Sequence, residues 1–197
     1  AVSSILTLGG VGGIVVGFAA KDMLANVFGG LMIQMDKPFS TGDWIRTTDK
    51  SIEGVVEKIG WRMTRIRTFN KNPVYVPNGI FATIPIETPS RMTNRQIYEV
   101  IGIRYDDIAQ MESIIKKVEA LLASKDDIDQ DQPCRVYFDL FNASSLDFVI
   151  WAFSSLTDAG KFKKFKGKLL LDIAQIIDDH GAEIAYPTQT LHIQKTE

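Results

Sequence analysis

The sequence predicts a membrane α+β protein, in which an apolar helix long enough to span a bilayer precedes two domains of mixed strands and helices. Residues 1–20 carry no charge, although the 197-residue chain contains 22 Lys and Arg and 24 Asp and Glu. Apolar residues then alternate with a period of two from residue 39 to 87, and strand and helix patterns alternate after residue 89. These observations predict four segments: 1–36, 37–96, 97–186 and 187–197.

The composition argues against several classes of function. The net charge of −2 is unlike that of a general nucleic-acid binder, which carries a basic excess. Cys134 is the only cysteine, so neither an intramolecular disulfide nor a cysteine-built zinc site is possible. His180 and His192 are too few for a histidine-built centre. We therefore expect no enzymatic activity, no cofactor, no metal site and no nucleic-acid partner.

The first segment has the length and the pattern of a transmembrane helix over about residues 1–21. Twenty helical residues rise roughly 30 Å, which matches the hydrocarbon core of a bilayer. Gly9, Gly13 and Gly17 recur every four residues, so they form a face that a neighbouring helix can approach closely. The bulky residues of the opposite side are Val11, Ile14 and Phe18. A buried glycine-rich helix in a soluble core would show the same pattern.

The polar pair Lys21-Asp22 follows this segment and predicts a bend at the membrane–water boundary. Asp22 is a favourable N-cap for a second, interfacial helix over residues 23–35, and Pro38 would end that helix. The apolar residues of this second helix recur at helical spacing. The sequence therefore predicts a pair of helices within residues 1–36.

A different interpretation of residues 1–36 is a dinucleotide-binding βαβ unit. Residues 3–8 would form a strand, residues 9–17 a phosphate-binding turn into a helix, and residues 31–36 a second strand. Val15 stands where this turn needs a third small residue, and the further β-α repeats of the fold are missing. This alternative predicts a soluble oxidoreductase.

The sequence of residues 37–96 predicts a small, strongly bent β-barrel of the Sm-like type. Turn residues such as Pro77-Asn78-Gly79 separate its short strands. The predicted strands cover residues 44–46, 52–59, 61–69, 74–76 and 81–86. An RNA-binding ring is an alternative here, and its support is the run of Arg62, Arg65 and Arg67.

Segment 97–186 has the order β-α-β-β-α-β, which is that of a ferredoxin-like α/β domain. Its predicted strands cover residues 97–105, 135–142, 146–154 and 182–186, and its predicted helices cover residues 107–123 and 158–179. Gly181 is placed to cap the second helix at its C-terminus. Beyond Pro187, residues 188–194 predict a strand with free edges that can pair with other subunits in an oligomeric β-barrel.

Taken in order along the chain, several motifs resemble the bacterial small-conductance mechanosensitive (MscS) channel family. The matching runs cover residues 13–26, 36–39, 42–43, 53–56, 75–79 and 94–95. Lys21-Asp22 makes the chain most similar to the low-conductance subgroup, which has additional transmembrane helices. Any one of these motifs is unspecific, whereas their combination across the whole chain is specific.

The resemblance implies a heptameric ion channel in a bacterial inner membrane, with the domains after the helix in the cytoplasm. Membrane tension would open the pore and release ions and small solutes during hypoosmotic shock, and tension-sensing helices are expected upstream. The partners would be further copies of the chain, membrane lipids and permeant ions. The small β-domain and the α/β domain would form a hollow vestibule, which a barrel of seven C-terminal strands would close.

The resemblance also assigns roles to single residues. Ile14 and Phe18 would form two rings that close the pore, because a narrow apolar ring loses its water and stops ions. Asn26 and Gly30 would lie in the interfacial helix. Family members typically use leucines in the rings and bend at a Gln-Gly pair, so Ile14, Phe18 and Lys21-Asp22 are departures. Lys21 and Asp22 would set the electrostatics at the end of the pore.

Overall fold

The apolar N-terminal segment forms one uninterrupted helix, α1, over Val2–Asp36. The computed structural model describes residues 2–188, and the side chains of residues 2–12 and 14 lie outside that description. The predicted start of a second helix after Asp22 is wrong, because the helix continues through Lys21-Asp22. Neither residue removes a backbone donor as proline does. Asp22 is an interior residue whose carbonyl accepts a bond from Asn26 Nδ2 at 2.8 Å.

The continuity of α1 also overturns the dinucleotide-binding interpretation. That fold requires strands over residues 3–8 and 31–36, and both stretches are helical. The helix ends at Asp36, where Lys37 adopts a left-handed φ of 48° and donates its N–H to the Ile33 carbonyl at 3.0 Å. Pro38 follows and cannot continue the helix.

The chain folds as two compact units, Ala1–Met92 and Thr93–Glu197. In the first unit, α1 is followed by a five-stranded antiparallel sheet of order β4-β3-β2-β1-β5. The strands are β1 (Trp44–Thr47), β2 (Glu53–Ile59), β3 (Met63–Arg67), β4 (Pro73–Pro77) and β5 (Ile86–Glu87). β4 and β5 lie at the two edges of this sheet, and its closure into a barrel stays a prediction.

The predicted fifth strand over residues 81–86 is wrong in most of its length. Asn78–Ala82 forms a 3-10 turn, and only Ile86–Glu87 pairs with β1. Pro85 precedes the pairing and lacks the N–H that a ladder needs. The alternation of apolar residues with a period of two did not by itself distinguish the 3-10 turn from a strand.

The core of the first unit joins α1 to the sheet. Ile33 of α1 is buried together with Phe39, which meets the ring of Phe81 edge-on at 5.1 Å between centroids. The other buried members of this cluster come one each from β1, β2, β3 and β4: Ile45, Val56, Ile66 and Val76. Burial of Ile33 therefore fixes the C-terminal part of α1 on the rest of the first unit, residues 37–92, which we call the β-rich unit.

The second unit contains β6 (Arg95–Ile103), α2 (Met111–Ala123), β7 (Arg135–Phe141), β8 (Leu146–Ser154) and α3 (Ala159–Asp179). Its sheet is antiparallel with order β6-β8-β7. The predicted helix from residue 107 begins later, because Tyr105–Gln110 forms a 3-10 turn. The predicted last strand, residues 182–186, is reduced to a single bridge between Ile184 and Ile103.

The ends of α3 follow their sequence signals. Asp158 is the N-cap, and its side chain accepts the N–H of Lys161 at 2.8 Å. Gly181 has the left-handed φ of 69° expected of a C-terminal cap. Both helices bury one apolar face in a core that they share with the three-stranded sheet, through residues that include Ile114, Leu122, Leu169 and Ile173. Residues 189–194 of the predicted C-terminal strand lie outside the described residues.

Cys134 packs against this core as a half-buried thiol, and burial raises its pKa. A thiol with a raised pKa is a poor nucleophile at neutral pH. Within residues 2–188, no group of His, Cys, Asp and Glu side chains is arranged to hold a metal ion.

Candidate functional site

The N-terminal part of α1 exposes apolar side chains that a water-soluble protein would bury. Val15, Val16 and Phe18 are 63%, 67% and 76% exposed. Residues Val15–Asp36 alone are long and apolar enough to cross a bilayer. Exposed apolar surface of this extent indicates contact with lipid or with another protein chain.

The glycine face of α1 is open in the single chain. A Cβ added at Gly13 or at Gly17 would meet no atom within 4 Å. Glycine in a helix interior costs about 1 kcal/mol relative to alanine, and no contact within the described part of this chain compensates for that cost at Gly13 and Gly17. The surroundings of Gly9 and the side chain of Ile14 lie outside the described residues, so of the predicted gate pair only Phe18 can be placed.

Lys21 and Asp22 precede the part of α1 that packs one face, through Gly29, Gly30 and Ile33, on the rest of the first unit. Lys21 and Asp22 are both exposed. One turn later, Asn26 Oδ1 accepts the backbone N–H of Gly79 at 2.9 Å, across 53 residues of sequence. Asn26 therefore carries the first described hydrogen bond that ties α1 to the rest of the unit.

Two glycines allow α1 to lie directly on the backbone of this unit. An added Cβ at Gly29 would lie 2.6 Å from the carbonyl oxygen of Asn78, and one at Gly30 would lie 2.6 Å from the carbonyl oxygen of Trp61. Neither position can hold a larger residue without a shift of the backbone. The predicted site residue Gly30 thus acts as a contact point between α1 and the loop that joins β2 to β3.

Asn78 holds the turn against which α1 packs. Its side chain is fully buried, accepts a hydrogen bond from Thr64 Oγ1 at 2.7 Å and donates one to the Gly60 carbonyl at 2.9 Å. Its backbone N–H donates to the Arg62 carbonyl at 2.9 Å. We name the set Asn26, Gly29, Gly30, Asn78 and Gly79 the helix joint. The motif Pro77-Asn78-Gly79 predicted a turn but not the buried hydrogen bonds of Asn78, because the partners of its side chain are 14 and 18 residues away.

Two of the three arginines that supported the RNA-binding alternative, Arg65 and Arg67, are paired within their own sheet. Arg65 and Arg67 both contact the carboxylate of Glu57, at 2.8 and 2.7 Å. The hydrogen bond from Arg67 lowers the pKa of Glu57, so this carboxylate is charged at neutral pH. A phosphate would have to compete with Glu57 for both guanidinium groups, which disfavours nucleic-acid binding at this face.

Two family models match successive parts of the chain. Residues 22–91 match the mechanosensitive ion channel β-domain, and residues 99–184 match the C-terminal domain of the MscS mechanosensitive channel. The helix joint lies within the first matched range and the second unit contains the other. These matches support neither an oxidoreductase nor an Sm-like RNA-binding ring.

Curated relatives agree over almost the whole chain. The low conductance mechanosensitive channel YnaI of Escherichia coli is 46% identical over 191 residues, which is 97% of this chain and 56% of that protein. The small-conductance mechanosensitive channel MscMJ of Methanocaldococcus jannaschii is 32% identical, over 94% of this chain and 52% of that protein. The chain thus spans about half the length of these relatives.

Solved structures show the same fold. The cryo-EM structure of Arabidopsis thaliana MSL1 matches with a TM-score of 0.88 at 32% identity, over 95% of this chain and 67% of that one. The closed state of Helicobacter pylori MscS matches with a TM-score of 0.80 at 27% identity, over 98% and 74% of the two chains. The apolar helix, the β-rich unit and the α/β unit therefore have the MscS fold, and the chain belongs to the MscS family of mechanosensitive ion channels.

Proposed function

We propose that this chain supplies the pore-lining helix and the C-terminal domains of a tension-gated ion channel built from seven copies. The observation that carries the proposal is the apolar part of α1, where Val16 and Phe18 are 67% and 76% exposed on a helix long enough to span a membrane. A pore needs several such helices side by side. The open glycine face at Gly13 and Gly17 supports close packing between copies.

The gate is proposed to consist of rings of Ile14 and Phe18, which lie four residues apart and thus on one face of α1. An apolar ring of small radius excludes water and so blocks ions without any charge. Gly9, Gly13 and Gly17 would let neighbouring helices slide as the ring widens. Lys21 and Asp22, one turn further, would set the local electrostatics, and a bend of α1 in this region stays a prediction.

Tension would favour the open state because that state occupies more membrane area. The helix joint supports a role in this transition, since Asn26, Gly29 and Gly30 hold the second half of α1 on the β-rich unit. The first half would then move relative to a fixed support. The proposal includes a bacterial inner-membrane location with the domains after α1 in the cytoplasm, contacts with lipids and permeant ions, and no enzymatic activity.

Patch-clamp recording of the full-length protein in liposomes tests this function. We expect currents that appear when suction raises membrane tension. Phe18→Ala should widen the closed constriction and therefore raise leak or conductance. Phe28→Ala is the matched control, because Phe28 is also exposed on α1, at 59%, but lies beyond Asn26. Absence of current at every tension short of membrane rupture would refute the channel, and unchanged currents in Phe18→Ala would place the gate elsewhere.

A further inference from the structure

The loop that follows α1 is held by the guanidinium group of Arg91. Arg91 Nη1 donates to the Lys37 carbonyl at 3.1 Å, and Nη2 donates to Ser40 Oγ at 3.3 Å and to Asp43 Oδ2 at 2.7 Å. These partners are 48 to 54 residues away from Arg91 in sequence. One planar side chain thereby fixes three points of the turn through which α1 passes into β1.

The neighbours of Arg91 strengthen this arrangement. Asp43 Oδ2 also accepts the Ser40 N–H at 2.8 Å, and Asp43 Oδ1 accepts a hydrogen bond from Ser90 Oγ at 3.2 Å. Thr88 Oγ1 donates to the Pro38 carbonyl at 3.2 Å. Residues 88–91 therefore contact residues 37–43 along their length.

The carboxylate of Asp43 stays charged at neutral pH. Burial of Asp43 raises the pKa of its carboxyl, but the hydrogen bonds from Ser40 and Arg91 outweigh burial and leave the pKa below its ordinary value. An ionised pair makes a hydrogen bond about twice as strong as a neutral one. Both side chains are partly exposed, at 46% and 20%, so the contribution to folding stability is modest. A role in positioning explains the arrangement better than stability does.

The position of Arg91 in the chain suggests what is being coupled. The first unit ends at Met92 and the second begins at Thr93. Arg91 lies one residue before Met92 and donates to the carbonyl of Lys37, which is the first residue after α1.

We propose that Arg91, Asp43 and the Lys37 carbonyl form a coupling clamp through which the second unit influences the opening of the pore helix. Arg91 is a positioning residue in this scheme and contacts neither ions nor the gate. The inference rests on the proposed channel function. The helix joint holds α1 at Asn26 and the coupling clamp holds it after Asp36, so the angle of its second half depends on both.

A double-mutant cycle in the full-length protein tests the coupling clamp. The variants are Arg91→Gln, Asp43→Asn and their combination, and the measurement is the threshold tension for opening relative to a reference channel in the same patch. We expect both single variants to shift the threshold in one direction, and the double variant to shift it no further than the larger single shift. Arg91→Lys retains the charge without the forked geometry and should restore the threshold only in part.

Arg46→Gln is the matched control. Arg46 forms a comparable exposed pair with Glu87 at 2.6 Å in the same unit, between β1 and β5. This variant should leave the threshold unchanged. Equal shifts in Arg46→Gln and Arg91→Gln, or wild-type thresholds in both coupling-clamp variants, would overturn the inference.

Hydrogen exchange of the same proteins separates this inference from the channel itself. Arg91→Gln should increase amide exchange over residues 37–43, and Arg46→Gln should not. Unchanged exchange in Arg91→Gln refutes the coupling clamp even if the wild type passes no current. Faster exchange with an unchanged threshold shows a structural contact only and also overturns the inference. A silent wild type refutes the proposed function, and this result is seen before any variant is compared.

Discussion

At the scale of single residues, the attachment of α1 depends on two glycines, which have no side chain, and on the buried side chain of Asn78. Gly29 permits backbone contact between α1 and the turn after β4, and Gly30 permits it between α1 and Trp61 in the loop that joins β2 to β3. Asn78 fixes that turn, because its amide satisfies the Thr64 hydroxyl and the Gly60 carbonyl within the unit. Removing either partner of a buried hydrogen bond costs about 1–3 kcal/mol. The helix joint is therefore sensitive to changes of a few atoms.

Gly30→Ala should destabilise the first unit. The new Cβ would lie 2.6 Å from the Trp61 carbonyl oxygen and 2.7 Å from Asn78 Nδ2, so α1 or the turn must move. Overpacking of this kind costs about 1–3 kcal/mol. Thermal unfolding of the full-length protein in detergent measures the effect. Gly167→Ala in α3 is the control, because its Cβ would meet no atom within 4 Å. An unfolding temperature in Gly30→Ala equal to that of the control would contradict the tight contact.

At the scale of secondary-structure elements, hydrogen bonds of the Asp107 side chain replace part of the backbone pairing that was predicted for residues 182–186. The predicted last strand of the ferredoxin-like unit makes only one bridge, between Ile184 and Ile103. The segment is held instead by the buried Asp107, whose Oδ2 accepts the Glu183 N–H at 2.9 Å and a bond from Arg104 Nε at 3.0 Å. Arg104 also contacts Glu183 Oε2 at 3.0 Å. The attachment of this segment therefore depends on a charged carboxylate.

This attachment should weaken in acid. The hydrogen bond from Arg104, followed by that from the Glu183 N–H, lowers the pKa of Asp107. A lowered pKa means that the carboxylate stabilises the fold above its unfolded pKa of about 4. That stabilisation is lost as pH falls from about 4 through the folded pKa.

Asp107→Asn isolates the contribution of this carboxylate. We expect the variant to be less stable than the wild type at pH 7 and the difference to shrink below about pH 4. Chemical denaturation at a series of pH values measures both. Asp106→Asn, at an exposed neighbouring position, is the control and should follow the wild type. A difference that does not depend on pH would show that the charge of Asp107 has no part in the attachment.

At the scale of the whole molecule, the exposed apolar part of α1 requires partners. Val15, Val16 and Phe18 face solvent in the single chain, and their burial would contribute on the order of 1.5–3 kcal/mol per side chain. The open faces at Gly13 and Gly17 suit further copies of the same helix. Assembly in a membrane would satisfy both surfaces.

The full-length protein should therefore have a mass in detergent close to seven chains. Light scattering coupled to size-exclusion chromatography, with the detergent contribution subtracted, measures it. The distribution should contain one dominant species whose mass does not change on dilution. A monomer or a dimer would contradict the proposed assembly, and another closed ring would correct the number of subunits.

Local patterns of residues were enough to predict the classes of element and their order. Uncharged residues 1–20, the period of two between residues 39 and 87, and the caps at Asp158 and Gly181 are local signals, so each could be recognised without the fold. The combined motifs also indicated the channel family. Local signals failed at residues 81–86 and 182–186, where pairing depends on a distant strand.

The attachment of α1, in contrast, depends on contacts between segments that are distant in sequence. The polar pair Lys21-Asp22 indicated a helix start, yet α1 continues through it, because a charged pair is compatible with a helical backbone. The helix joint pairs Asn26 with Gly79, and the coupling clamp pairs Lys37 with Arg91, across 53 and 54 residues. A pattern of neighbouring residues carries no information about contacts that form only when distant segments meet. These contacts therefore became visible only in the folded chain.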